Sequence, residues 1–129
     1  MEEALLALLA SSGGVTAHVS PARINWGAHP QGTGGPYIVL FVISDVPGLT
    51  MSGPDGMTAF RVQCDVYGST YAAAKLAARA VATLLHGYRG GQFRLIEHAG
   101  SRDSREGGTN EADRLFRVSL DFIIHWRQT

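Results

Sequence analysis

The sequence is poor in cysteine, in net charge and in long apolar runs, and each shortage excludes a class of protein. Cys64 is the only cysteine, so the chain forms no internal disulfide and no cysteine-based zinc site. Its place inside an alternating apolar pattern marks it as a small buried hydrophobe. Lys plus Arg and Asp plus Glu both total 11, a formal net charge of zero. A strong nucleic-acid binder needs a positive surplus to neutralise phosphates, and an anionic membrane surface attracts the same surplus. The apolar stretch 4–10 follows Glu2 and Glu3, not basic residues. It is too short to span a bilayer and lacks the basic start of a signal peptide, so a soluble, reducing compartment is expected.

Catalytic patterns are missing too. The five histidines, His18, His29, His86, His98 and His125, show no HxH or HExxH spacing, which a metal site of that kind needs. His125 alternates with the apolar face of the last strand and reads as a surface residue. Gly32-Thr33-Gly34-Gly35 has the look of a phosphate loop. It lacks the Gly-Lys-Ser/Thr ending, however, and leads into a strand instead of a helix N-terminus. Arg89-Gly90-Gly91 is better explained as a helix exit than as a nucleic-acid triplet. No Ser or Cys sits on a nucleophile elbow. Asp65, Glu97, Asp103 and Asp121 are candidate acids or bases. Asp65 and Asp121 share polar strand positions with Arg61 and Arg117, and cross-strand ion pairing accounts for them. The expectation is no enzyme, no catalytic residue, no metal and no cofactor.

What the chain does contain is material for one folded domain over 1–129. It is 45% hydrophobic and 17% charged, with two Trp, five Phe and four Tyr, enough to build a core and to exclude global disorder. Residues 2–12 read as a helix with Leu5, Leu8 and Leu9 on one stripe and two acids at its positive end. Gly13 and Gly14 stop it. Residues 13–36 read as a Gly/Pro-rich connector with one short extended piece near 23–26. Residues 37–45 form a strand so continuously apolar that both faces are expected to be covered, at least in part. Residues 58–67 form a second, with Phe60, Val62, Cys64 and Val66 facing one way and Arg61, Gln63 and Asp65 the other. Between them, Gly53-Pro54-Asp55-Gly56 predicts the turn of a projecting hairpin arm, 46–57.

Ser69 or Thr70 caps a helix reaching about residue 86. Its expected core stripe is Ala73, Leu76, Ala77, Ala80, Val81 and Leu84, leaving Lys75 and Arg79 outside among Ala72, Ala78 and Ala82. A third strand is expected over 93–97, a mobile loop over 100–113, and a long last strand over 114–127. The pattern predicts an α+β domain: a mainly antiparallel sheet of about four strands packed with two helices, carrying a projecting hairpin. Leu49 and Met51 lie near the tip of that hairpin. Exposed there they mark a partner surface; the alternative is that they fold back on their own domain.

The order of several motifs resembles a known family. These are the acidic Leu/Ala helix from Glu2 to Ala10 and Pro36-Tyr37-Ile38-Val39, then Gly53-Pro54-Asp55-Gly56 and Arg61-Val62-Gln63-Cys64-Asp65-Val66-Tyr67. Tyr71-Ala72-Ala73-Ala74-Lys75 and Phe116-Arg117-Val118-Ser119-Leu120-Asp121-Phe122 complete the series. In that order and spacing the chain is similar to the tail completion or terminator proteins of long-tailed phages, the gp17-like group, over most of its length. The resemblance implies a structural subunit that forms a ring, typically a hexamer, at the head-proximal end of the tail tube. There it stops tube growth and joins the head connector. Related subunits serve gene transfer agents. A neck or adaptor protein between portal and tail is the alternative. The implied partners are further copies of itself, the tube protein and the connector, with DNA only in passage and no membrane. The implied location is the assembled particle, built in the host cytoplasm. Balanced charge suits a conduit through which DNA slides. Leu49, Met51, Pro54, Asp55, Lys75 and Arg79 are the candidate partner-binding residues, and Arg61, Gln63, Asp65, Arg117 and Asp121 the candidate lumen or interface residues.

Overall fold

Five strands, Ile24–Trp26 (β1), Tyr37–Thr50 (β2), Gly53–Gly68 (β3), Phe93–Glu106 (β4) and Leu115–Arg127 (β5), form one sheet in the order β1-β2-β3-β5-β4. All pairs are antiparallel except β1 with β2. The helices Glu2–Ser11 (α1), Gly13–Thr16 (α2) and Tyr71–Leu85 (α3) contribute Leu5, Leu9, Val15, Ala74, Ala77, Val81 and Leu85 to the core against the sheet. The computed structural model describes residues 1–28, 36–106 and 115–128. His29 and the segment Gly32-Thr33-Gly34-Gly35 lie outside the described residues, as does 107–113 of the expected loop.

The α+β class is as expected, with one strand more than the sequence suggested. β1 is three residues long and pairs in parallel with Ile38, Val39 and Leu40; a piece so short carries no readable alternation. The stretch after α1 is also more regular than a connector. Ser12 leaves α1 in an extended conformation, and its hydroxyl then caps α2 by accepting from Val15 N. Val15, Val19 and Ile24 are buried, so this segment helps to form the core. Burying a Val, Leu or Ile side chain stabilises by about 1.5–3 kcal/mol, and Leu5 and Leu9 of α1 join the same cluster.

Period-two alternation sets the sheet face that meets the helices. Val62, Cys64 and Val66 of β3 lie opposite Phe122, Leu120 and Val118 of β5, and all six are buried. Ile96 and Phe93 extend this layer on β4, where Phe93 meets the Trp126 ring edge-on at 4.9 Å. Burial pushes the Cys64 thiol far above its ordinary range, with Asp65 adding to the effect. An inert buried cysteine is the result.

The helix cap occurs as read: Thr70 Oγ1 accepts from Ala73 N at 3.1 Å. The stripe is rotated. Ala74, Ala77, Ala78, Val81 and Leu85 face the core, whereas Leu76 is 49% exposed. The reason lies at Gly68, where an added Cβ would stand 2.8 Å from Ala74 N. So close an approach admits alanine and excludes leucine.

Two further expectations are corrected. The hairpin turns at Met51 and Ser52, because Thr50 pairs with Gly53 and Leu49 with Pro54. Gly53-Pro54-Asp55-Gly56 therefore lies within β3; its positive φ values fall at Gly53 and Gly56. β4 continues through Glu106, so 100–106 is strand instead of loop. An edge strand with solvated faces needs no apolar alternation, and its charges and serines guard it against unwanted pairing.

Gly68→Ala is expected to destabilise the fold by about 1–3 kcal/mol through overpacking. Gly13→Ala, with open space around it, is the control. Thermal unfolding of both checks this; an unchanged Tm for Gly68→Ala would show that strand and helix part without cost.

Candidate assembly surfaces

The hairpin outruns the sheet. β5 stops pairing at Arg127 opposite Met57, so the residues from 48 to 55 form a two-stranded tip whose edges meet no other strand among the described residues. The tip is internally braced. Asp55 lies across Gly48, where a side chain would collide with its carboxylate, and it accepts from Met57 N at 2.9 Å. Thr50 Oγ1 donates to Gly53 O at 2.8 Å. Leu49 is 78% and Met51 106% exposed, so neither folds back on its own domain. Pro54 and Asp55 are exposed beside them.

The apolar run of β2 is covered only as far as Leu40. Beyond the end of β1, Phe41, Val42, Ile43 and Val46 are exposed, contrary to the two-sided cover expected for this run. Phe41 and Val42 border an open hollow with Leu6, Trp26, Leu40 and, at its rim, Glu2 and Glu3. The continuous apolarity of 37–45 was the signal for this surface, read as interior.

A second hollow of about 530 Å³ lies between α2 and α3, lined by His18, Leu76, Arg79, Ala80, Thr83 and Leu84 among others. Periodicity suggests another rotation of the helix and so places Leu76 in the core, and His18 was missed because 13–36 reads as a connector. The two basic candidates on α3 differ. Lys75 Nζ stands 2.9 Å from Asp103 Oδ1 of β4, and the Tyr71 hydroxyl donates to Asp103 Oδ2 at 2.8 Å. Lys75 is thus engaged within the chain. Arg79 is exposed and has no ion pair among the described residues.

The sheet face away from the helices carries the remaining candidates, and joins Arg61, Gln63, Asp65 and Asp121 in one network. Arg102 donates to Asp121 at 2.9 Å and to Gln63 Oε1 at 3.3 Å. Gln63 Nε2 donates to both Asp65 oxygens at 3.0 and 3.1 Å, and the Ser119 hydroxyl donates to Asp65 Oδ1 at 2.7 Å. Arg61 stands 3.9 Å from Asp121, and Arg117 Nε donates to Ser104 Oγ at 3.1 Å. Asp121 forms the expected pair with Arg61. Asp65, 3% exposed, instead takes neutral donors. Arg102 comes from the stretch read as loop and so was missed. The Tyr37 and Tyr67 rings stack at 4.7 Å on this same side.

The histidines do not gather into a site. His86 Nδ1 accepts from His98 N at 3.1 Å, His98 Nε2 is buried without a partner, and His125 lies 3.7 Å from Glu97. Among the described residues no group of three His, Cys, Asp or Glu is placed to hold a metal, and no helix is long and apolar enough to cross a membrane.

The described residues thus form an α+β fold with an external arm, an apolar hollow that carries Arg79 and His18, and a polar face whose two aspartates are satisfied by neighbouring strands. Residues 3–126 match the family of tail completion protein gp17, and the chain belongs to that family. It is a structural protein of phage-type tails, located in the tail of the particle. No curated protein matches the chain. Among solved structures, a chain in the virion of a native gene transfer agent particle has the same fold. The TM-score is 0.72 at 22% identity, covering 94% of this chain and 90% of that one.

Two variants separate the buried network from the surface pair. Asp65→Ala strands the Ser119 and Gln63 donors and is expected to cost about 1–3 kcal/mol in denaturant unfolding. Asp103 is held below its ordinary 3.8 and Lys75 above its ordinary 10.5, each chiefly by their mutual hydrogen bond. The lowered acid contributes stability above 3.8 that is lost as pH falls through its folded value; the raised base contributes below 10.5 and loses it as pH rises through its own. Both side chains are partly exposed, at 41% and 25%. Asp103→Asn is therefore expected to cost less than about 1 kcal/mol near neutral pH and to flatten the acid limb of the stability curve. An unaltered acid limb would refute the assignment.

Proposed function

We propose that the chain is a tail terminator: a non-catalytic subunit that forms a ring, with six copies as the expected number, at the head-proximal end of the tail tube. The ring stops tube polymerisation and offers the surface that joins the tail to the head connector. Its partners are copies of itself, the tube protein and the connector or adaptor protein, and DNA passes through without sequence-specific binding. The observation that carries this reading is the arm. A member of a tail completion family presents Leu49 and Met51 to solvent on a braced two-stranded tip, where an isolated monomer gains nothing from them. The face that carries Arg61, Gln63, Asp65, Arg102, Arg117 and Asp121 fits a lumen or interface. Arg61 and Arg102, which share Asp121, hold a passing phosphate backbone more weakly than arginines without a carboxylate would.

Leu49→Ser with Met51→Ser is expected to leave the unfolding midpoint nearly unchanged, since exposed substitutions usually shift stability by about 0.5 kcal/mol or less. The same change is expected to abolish incorporation into tails, scored by electron microscopy and by native mass spectrometry of particles. Equal loss of folding would place both residues in the domain core. Finding the unaltered protein only as a free monomer, absent from tails, would overturn the terminator reading. Density between portal and neck instead of at the tube end would make it an adaptor.

A further inference from the structure

The zero net charge hides a strong separation of charge along the chain. Residues 41–57 carry Asp45 and Asp55 and no base, whereas 69–96 carry Lys75, Arg79, Arg89 and Arg94 and no acid. The apolar surface divides the same way. The arm shows Val46, Leu49 and Met51 with Asp55 on its return strand and Asp45 at its base; α3 shows Leu76 beside Arg79. We propose that the arm tip of one copy docks in the hollow between α2 and α3 of the next copy, seating Leu49 and Met51 against Leu76 and Leu84 with Arg79 and His18 facing the Asp55 side of the arm.

Three observations select this pairing. Met51 is wholly exposed, so the arm does not reach the hollow of its own chain, and the contact must be between molecules. Of the apolar hollows, the one along β2 is rimmed by Glu2 and Glu3 and repels an acidic side chain, the one lined by Leu8, Tyr88, Phe93 and Trp126 has no charged lining residue, and the one on α3 carries Arg79 and His18. Lys75 is taken up by Asp103 within the chain, but Arg79 has no carboxylate partner among the described residues and so is available to one from outside. Complementary charge sets register and orientation more than raw affinity, and the apolar tip supplies the anchor. Because the two surfaces are different, the contact is head-to-tail; repeated by rotation, it closes into a ring. The closed geometry rests on the terminator reading, but the contact itself does not.

Cysteine cross-linking tests the contact cleanly, because the native Cys64 is fully buried and does not compete. In assembled tails carrying Met51→Cys with Leu76→Cys in one chain, mild oxidation is expected to give a ladder of cross-linked copies. Each single variant is expected to remain monomeric on the same gel. Dimers from Met51→Cys alone would show arm-to-arm pairing and overturn the proposal. Tails whose terminal ring is visible by electron microscopy but whose double variant gives no ladder would overturn it and leave the terminator reading standing. A ladder from protein that lies elsewhere in the particle would do the reverse. Arg79→Glu is expected to cut the ladder several-fold, and Asp55→Asn to restore it in part, circular dichroism confirming the fold of each. No restoration would overturn the assignment of Asp55 to Arg79.

Discussion

The close seating of α3 on the sheet governs much of the rest. At Gly68 the strand backbone comes so near Ala74 that the intervening space has no room for a side chain. Only small residues fit beneath the helix, so Ala74, Ala77 and Ala78 turn inward, with Val81 and Leu85 filling the wider end. Leu76, one of the larger apolar residues of the helix, is left outside. Side chains in a core pack at the density of organic crystals, and a leucine at this contact would lift the helix off the sheet. The apolar character of the outer hollow is therefore a consequence of how the inner contact is packed.

The opposite side of the sheet follows a different rule. No helix covers it among the described residues, and its two aspartates are satisfied by neighbours, most of them on adjacent strands. Asp65 is buried by those neighbours and satisfied by Gln63 and Ser119, while Asp121 takes two arginines. A buried acid without such donors would be costly, so the network is part of the fold as well as a surface. The protein thus has a face whose aspartates are taken up within the sheet, and an arm and a helix whose Leu49, Met51, Leu76 and Arg79 are left exposed. Assembly is left to the second set.

Local chemistry made several elements readable in advance. Glu2 and Glu3 before a leucine stripe mark α1, Thr70 marks the start of α3, and strict alternation marks β5 and the inner face of β3; each is decided by residues within a few positions of one another. The same locality made the arm and its exposed Leu49 and Met51 legible, and the motif order carried the family. What the sequence could not decide depends on partners far along the chain. The turn moved to Met51 and Ser52 because the register of β2 on β3 is shared by the whole ladder, with irregularities near residues 43 and 48. β4 ran on through 100–106 because β5 offered it an edge. The rotation of α3 is the exception in distance: Gly68 is only six residues from Ala74, but their close contact is a matter of packing that periodicity does not show. Periodicity shows that a segment has a face. Only tertiary packing chose the face of α3 to bury and the part of β2 to leave uncovered, because those choices depend on the shape of what lies opposite.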